Sequence, residues 1–444
     1  MGNGIPIAFG ILALVYIVLV AIHQLTQDAG EPRSISNDVP FITPMLKMAS
    51  HGTKADAADL IGVSKATSSI IGHNVTSDEG YSMSFPKYVH SALSAGPGLD
   101  AMNRRSIQVI ANSLNACAKQ GNVTIDMFQW VRHELLMAST EGVYGPKNPF
   151  RDPAMEKAWY TFEPGMMVFV LNLFPRVFAS KSFKAREYMV KVWEQYFKSG
   201  WIEIGGSQAI LTNSLPGAFW FTYHIFSDPV VLDDIRSELS KGVHIDDSGT
   251  RSIDLSHVKS SCPILLSTFK ETMRFHSSST ATRIAMEDHQ LDNKYLLKKG
   301  STIMMPSSVQ HTNREIWGDT GDEFMHRRFL PDTSAKRINP VAFRGFGGGT
   351  TLCPGRHFAS TEMLMFAALL VLRFDLHPVG GKWITPTTTK SPMINALPVP
   401  DWDVQAELRP RDDASPWSVS FSGYDRGMEI AAEDIEGVTP DLGH

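Results

Sequence analysis

Cys353 stands in the stretch FGGGTTLCPGRHFA, Phe346 to Ala359, with three glycines ahead of it, Gly355 just behind it and a long apolar run following. A thiolate is a metal ligand, and a helix start favours its negative charge through free N–H groups and the helix dipole, which lower a thiol's pKa. Gly347, Gly348, Gly349 and Gly355 let the backbone curl close to whatever lies above and supply N–H donors to the sulfur. Neither a second cysteine nor a histidine at ligand spacing accompanies Cys353 in a way that suits zinc, which takes four ligands. A haem iron suits it better, because the porphyrin brings four nitrogens and the protein one axial sulfur. Two other readings stay open on these residues alone. One is a phosphate cradle at a helix start, although no Walker lysine is present; the other is a cysteine used only as a small buried residue.

The elements that must position this loop are mainly helical. The chain has 444 residues, 43% of them hydrophobic and 20% charged, with a net charge of −5. This length supports a sizeable core, and the weak acidic balance gives no electrostatic case for nucleic-acid binding. Three scattered cysteines, Cys117, Cys262 and Cys353, exclude a disulfide framework and suit a reducing compartment. Ile5–Ile22 carries no charge and is just long enough to span a bilayer, so residues 1–22 read as a retained transmembrane anchor. Basic residues appear only after it (Arg33, Lys47, Lys54), which places the bulk of the chain on the cytosolic side and leaves the sequons at Asn74 and Asn122 unused. Residues 23–50 form a proline-containing linker, and 51–444 the catalytic domain, with a polar, loose tail from about 412. Helical periodicity covers Met102–Ala118, Ala154–Val170, Lys184–Phe197 and Gly206–Phe226. A further helix begins near Val231 after Asp228-Pro229, another follows Pro263, and a last one covers Gly355–Phe374. Paired strands are predicted in HQLDNKYLLKKGSTIMMPSS with a turn at Asp292-Asn293, and short strands in GKWITP and WDVQAELRPR. The fold class is therefore mainly α with a minor β part.

The loop resembles the haem-binding segment of the cytochrome P450 family, Phe-x-x-Gly-x-x-x-Cys-x-Gly, on Phe346, Gly349, Cys353 and Gly355. Two further elements of that family are matched in the right order. Glu271 and Arg274 in KETMRF follow Glu-x-x-Arg, a spacing that puts both side chains on one helix face. Phe324, Arg328 and Phe329 in DEFMHRRF follow Phe-x-x-x-Arg-Phe. The resemblance implies a cytochrome P450 fold in which Cys353 is the axial ligand of haem b and Arg328 joins Glu271 and Arg274 in a buried network behind the loop. It also implies that Arg283 binds a haem propionate.

Three departures qualify the match. The family's basic residue two positions before the cysteine is Thr351 here, so one propionate contact is either missing or supplied elsewhere, with Arg356 and His357 as the candidates. The oxygen-activation helix carries Thr212, Asn213 and Ser214 in AILTNSLPGAFW with no acid, and Pro216 must kink it. This pattern resembles the branch that holds prostacyclin synthase and the sterol 7α- and 12α-hydroxylases; Asn213 and Thr212 are its candidate catalytic residues. Finally, HGTK at 51–54 passes straight into ADAADLIGVSK, so the N-terminal β-sheet region reads as incomplete.

The resemblance implies a membrane-bound fungal monooxygenase of secondary metabolism at the endoplasmic reticulum. It would hydroxylate a hydrophobic small molecule with electrons from an NADPH-cytochrome P450 reductase. A reductase-independent isomerase or dehydratase acting on a peroxide, and a non-catalytic haem-binding remnant, are the alternatives. Phe219, Trp220 and residues 63–73 are candidate substrate contacts by resemblance.

Overall fold

A computed structural model describes residues 93–170, 174–199, 207–285, 287–330, 339–349, 352–392, 395–411, 415–422, 428–431 and 434. The anchor, the linker, the junction at 51–54, residues 63–73 and Thr351 lie outside the described residues. No helix among the described residues is long and apolar enough to cross a membrane.

Contacts divide the chain into two compact units. Among the described residues of the larger one, the helices of eight residues or more are α1 (Pro97–Gln120), α2 (Met127–Tyr144), α3 (Pro153–Phe162), α4 (Ser180–Lys198), α5 (Ser207–Ser227), α6 (Pro229–Ser240), α7 (Pro263–His276) and α8 (Arg356–Arg373). Local chemistry sets their ends. Asp228 accepts the Val230 N–H at 2.9 Å and Pro229 opens α6, an N-cap with proline at the first helical position. Pro263 opens α7, whose first free N–H groups, those of Ile264 and Leu265, are taken by the Glu238 carboxylate of α6 at 2.9 Å each. Gly121 and Gly145, at φ 77° and 66°, end α1 and α2. The helix predicted across Ala154–Val170 is broken after Phe162 by a single 3-10 turn at Glu163–Gly165, where Pro164 cannot continue the ladder.

Helix α8 is buried around nearly its whole circumference from His357 to Arg373, which is how a central core helix differs from an amphipathic surface one. Phe219, Trp220 and Phe221 of α5 are fully buried too, so Phe219 and Trp220, read as candidate substrate contacts, belong to the apolar core. Phe128 meets Phe219 edge-on at 5.3 Å.

β1 (Val123–Asp126), β9 (Gln405–Pro410) and β8 (Phe374–Pro378) form an antiparallel sheet in the order β1-β9-β8, with Val123 opposite Leu408 and Phe374 opposite Pro410. β2 (Val243–Ile245) and β10 (Trp417–Ser420) flank β3 (Arg251–Asp254), β10 in parallel. The tail from 412 is therefore not loose in its described parts. Trp417 and Val419 are buried and their strand is paired, and Met428, Ile430 and Ala431 are buried beyond it. The strand expected in GKWITP does not form either. Beyond it, Asp401 takes the Thr389 and Lys390 N–H groups at 3.0 and 2.8 Å.

The described part of the smaller unit is Thr282–Ile303. It holds a hairpin of β5 (His289–Leu291) and β6 (Tyr295–Leu297), turning through Asp292 and Asn293 at φ 52° and 53° as the sequence predicts. β4 (Thr280–Ile284) and β7 (Thr302–Pro306) pair where the two units join in sequence.

Candidate functional site

Cys353 precedes α8 by three residues, and the loop before it is wound by left-handed glycines, Gly347 at φ 77° and Gly349 at φ 55°. The Cys353 N–H donates to the Phe346 carbonyl at 2.9 Å, closing the loop, while the Phe346 ring tilts on Phe269 of α7 at 6.2 Å. Gly345 needs its missing side chain: a Cβ there would lie 2.6 Å from the Phe343 ring and 2.8 Å from Met273. The sulfur accepts a hydrogen bond from the Gly355 N–H. Burial nevertheless pushes the Cys353 thiol up, against the lowering by that hydrogen bond and by the Arg356 charge. This overturns the expectation that the helix start lowers its pKa. Burial under a hydrophobic wall favours the neutral thiol, and only a bound cation reverses that, since a coordinated thiol is deprotonated outright.

Behind the loop lies a charged cluster. Glu271 accepts from Arg274 Nε and Nη2 at 2.7 and 2.8 Å, from Arg328 Nε at 2.9 and 3.1 Å, and from the Met325 N–H at 2.8 Å. The Glu271 and Arg274 side chains have no exposed surface and Arg328 has 7%. A solvent-exposed ion pair is thereby excluded. Arg274 Nη1 reaches the His311 and Gly321 carbonyls at 2.5 and 2.7 Å, and Arg328 Nη2 reaches those of Thr320 and Glu323 at 2.7 and 3.0 Å. One acid on α7 thus ties two arginines to the loops between Trp317 and Glu323, and the Phe329 N–H to Ser267 of α7 at 3.0 Å fixes the same strip. Phe324 does a different job and stacks on His224 of α5 at 3.7 Å.

Helix α5, with Pro216 inside it, meets a loop far from it in sequence. Asn213 Oδ1 accepts the Ala396 and Leu397 N–H groups at 2.8 and 3.2 Å, and Trp220 Nε1 donates to the Pro398 carbonyl at 2.7 Å. Pro216 lies between these two ties, and Gly217 beside it is pressed on Leu397, which a Cβ would approach to 2.9 Å. Thr212 is buried on the same helix. Arg283 lies in the smaller unit, where its Nη1 donates to the Thr282 carbonyl at 2.9 Å. The Arg356 guanidinium faces Asp434, through Nε at 3.0 Å from both carboxylate oxygens, and the Cys353 carbonyl, through Nη1 at 3.3 Å.

Other buried polar groups carry no signature readable from sequence. Glu362 of α8 is sealed among helices and accepts from Ser106 of α1 and Ser139 of α2 at 2.5 and 2.6 Å; burial pushes its carboxyl up to about 7. His224 and His276 meet through their Nε2 atoms at 2.8 Å, with Trp220 stacked on His276 at 4.2 Å. Asn395 is buried beside Ala396 with its carboxamide unpaired. Partners 52 to 256 residues apart, as for His224 and Ser106, leave no spacing to recognise.

The site's donor set fits a haem. Among the described residues no group of three or more His, Cys, Asp or Glu could hold a metal ion, and the half-buried Cys353 offers the single thiolate that a porphyrin-bound iron takes from a protein. Comparison with known proteins agrees. The cytochrome P450 family profile matches residues 212–401. The chain is 35% identical over 363 residues to the cytochrome P450 monooxygenase nodJ of Hypoxylon pulicicidum, spanning 73% of this chain and 70% of that one. It is 28% identical over 250 residues to a 25-hydroxycholesterol 7-alpha-hydroxylase of Rattus norvegicus, spanning 51% of this chain and 58% of that one. The fold is similar to that of the retinoic acid bound cyanobacterial CYP120A1, with TM-score 0.59 at 18% identity over 77% of this chain and 82% of that chain. With Cys353, Glu271, Arg274 and Arg328 arranged as described, the chain belongs to the cytochrome P450 family and is a haem-thiolate monooxygenase with haem b as its cofactor.

Proposed function

We propose that this enzyme hydroxylates a hydrophobic small molecule in fungal secondary metabolism, on electrons passed from an NADPH-cytochrome P450 reductase. The observation that carries this reading is the half-buried Cys353 sulfur, held by the Gly355 N–H just ahead of α8. Bound there, the haem supplies oxygen activation. The chain's own residues do the rest. Cys353 gives electron density to the metal, and the Gly355 N–H holds the sulfur in place. Glu271, Arg274 and Arg328 lock the loop's support. Arg283 is proposed to hold a propionate, as the resemblance implies. Asn213 and Thr212 are proposed to hydrogen-bond water beside the haem that would bind here and to pass protons from it. Because Asn213 spends its oxygen on Ala396 and Leu397, its contribution there is as a donor through Nδ2. The apolar run Ile5–Ile22 is proposed to anchor the enzyme in the endoplasmic reticulum membrane with its catalytic part on the cytosolic side.

The test is spectroscopic and then kinetic. Reduced enzyme under carbon monoxide should show the strongly red-shifted Soret band that a trans thiolate produces, and Cys353→Ser should abolish it. Turnover of an apolar substrate should require both NADPH and a reductase. The absence of any acid beside Thr212 and Asn213 favours a second reading, isomerisation of a hydroperoxide. Turnover of a hydroperoxide without reductase would establish that reading in place of hydroxylation.

A further inference from the structure

The described residues of the C-terminal segment end on a carboxylate placed under the cysteine loop. Asp434 accepts Arg356 Nε on both oxygens at 3.0 Å and receives Arg356 Nη2 as well. It also accepts the Ile430 and Ala431 N–H groups at 3.2 and 3.0 Å, and His357 Nε2 lies 3.4 Å away. The segment is seated by apolar burial: Met428, Ile430 and Ala431 are 7%, 1% and 6% exposed. The Asp434 side chain is 8% exposed and that of Arg356 16%, so the pair interacts where water screens it weakly. From the other side, Arg356 Nη1 donates to the Cys353 carbonyl at 3.3 Å. A fork that binds a carboxylate with one edge and a carbonyl with the other has its position fixed by both. This segment lies beyond residues 212–401, which the family profile matches.

We propose that Asp434 is a positioning residue for the thiolate ligand: it holds Arg356 against the Cys353 carbonyl and offsets the guanidinium charge next to the sulfur, so that the C-terminal segment sets how readily the bound metal is reduced. Arg356 Nη1 lies 3.3 Å from the carbonyl of the ligand residue itself, close enough for the guanidinium field to reach its sulfur. Burial raises the Asp434 carboxyl, but hydrogen bonds from His357 and Arg356 and the Ala431 N–H outweigh it and hold the group well below the carboxylate range, ionised at any working pH. The inference rests on Cys353 being the axial ligand.

The experiment measures the midpoint potential of the haem-loaded, substrate-free enzyme together with its carbon-monoxide spectrum. Asp434→Asn removes a negative charge and keeps the shape, so the potential should move to more positive values. Arg356→Gln removes the positive charge and should move it the other way, and the double variant should return near wild type. Asp434→Glu should restore most of the wild-type value. A purely structural clasp would not produce shifts of opposite sign; variants that both leave the potential unmoved, or that move it in one direction, overturn the proposal. Should Asp434→Asn not accumulate as folded protein, Arg356→Gln against Arg356→Lys decides: only the neutral variant should move to more negative potential, and equal values overturn the assignment. If the wild type itself shows no thiolate-type band, the reading of Cys353 fails and the proposal with it. A wild type with that band and inert variants rejects the Asp434 role alone.

Discussion

Replacing Glu271 by glutamine changes few atoms and removes the one negative charge that two buried guanidiniums share. Glu271 receives four guanidinium contacts and the Met325 N–H, all with no exposure of its own side chain. After the change Arg274 keeps the His311, Gly321 and Glu323 carbonyls, and Arg328 keeps those of Trp317, Thr320 and Glu323. Those dipoles solvate the cations but do not neutralise them, and the glutamine NH2 turns a donor toward a donor. Breaking a buried pair by removing one partner costs about 3–5 kcal/mol, against a total stability of about 5–15 kcal/mol. Arg328→Gln is milder, because it leaves Glu271 paired with Arg274 and loses charge-assisted bonds of about 1.5–3 kcal/mol. With a urea slope of about 3 kcal/mol/M, Glu271→Gln should move the unfolding midpoint down by about 1 M or more, and Arg328→Gln by about half as much. Circular dichroism against urea, with haem content measured on the same samples, gives both numbers. A Glu271→Gln midpoint within about 0.2 M of wild type, or one above that of Arg328→Gln, would refute the account of the cluster as a charge-balanced brace.

Two pH effects of opposite sign follow from groups outside the brace. The Glu362 carboxyl, pushed from 4.5 to about 7 by burial, binds its proton in the folded state before the unfolded chain does. Its stabilisation is complete below pH 4.5 and is lost as pH rises through 7, an effect of about 3 kcal/mol that Glu362→Gln should remove from the alkaline limb of a stability–pH curve. Burial lowers His224 to about 3, and His276 is lowered by burial and by His224. Neutral in the fold and protonated when unfolded, they stabilise above about pH 6.5 and lose that contribution as pH falls. Both residues are half-buried as a whole, so about 2 kcal/mol is expected rather than the full shift. His224→Phe keeps the stack on Phe324, should flatten the acid limb, and should cost stability at neutral pH by leaving His276 Nε2 without its partner; an unchanged acid limb would exclude the pair as its source.

Much of the helical fold was legible because its punctuation is local. Asp228-Pro229, Pro263 and the turn pair Asp292-Asn293 act on neighbouring backbone, and each begins or bends an element where expected. The misreadings have one physical origin. Helix α2 was not singled out because its second half, Ala138 to Tyr144, is buried on all sides and shows no single apolar stripe. The segment at 381–386 reads as a strand but forms none, since a strand needs a partner edge and that need is not written in the segment itself. The tail looked loose by composition, yet β10 finds an open edge of β3 and Ile430 a place in the core.

The site divides along the same line. The Glu271–Arg274 pair was visible because residues three apart on a helix share a face, and Cys353 because a sulfur between glycines at a helix entrance has few other uses. What sequence could not supply is which groups cancel which charges. Arg356 was read as a partner for an anionic ligand, since a cation near a cofactor suggests one; its observed carboxylate comes from residue 434, 78 positions away. Glu362, by contrast, sits in an apolar run and finds only two serine hydroxyls, which satisfy its oxygens without neutralising its charge, so it gives up the charge instead. Asp434 keeps its charge because a guanidinium is there to meet it. Whether a buried acid in this protein is an anion or a neutral donor is decided by the charge state of its long-range partner, and that partner is fixed by packing rather than by any residue near it in the chain.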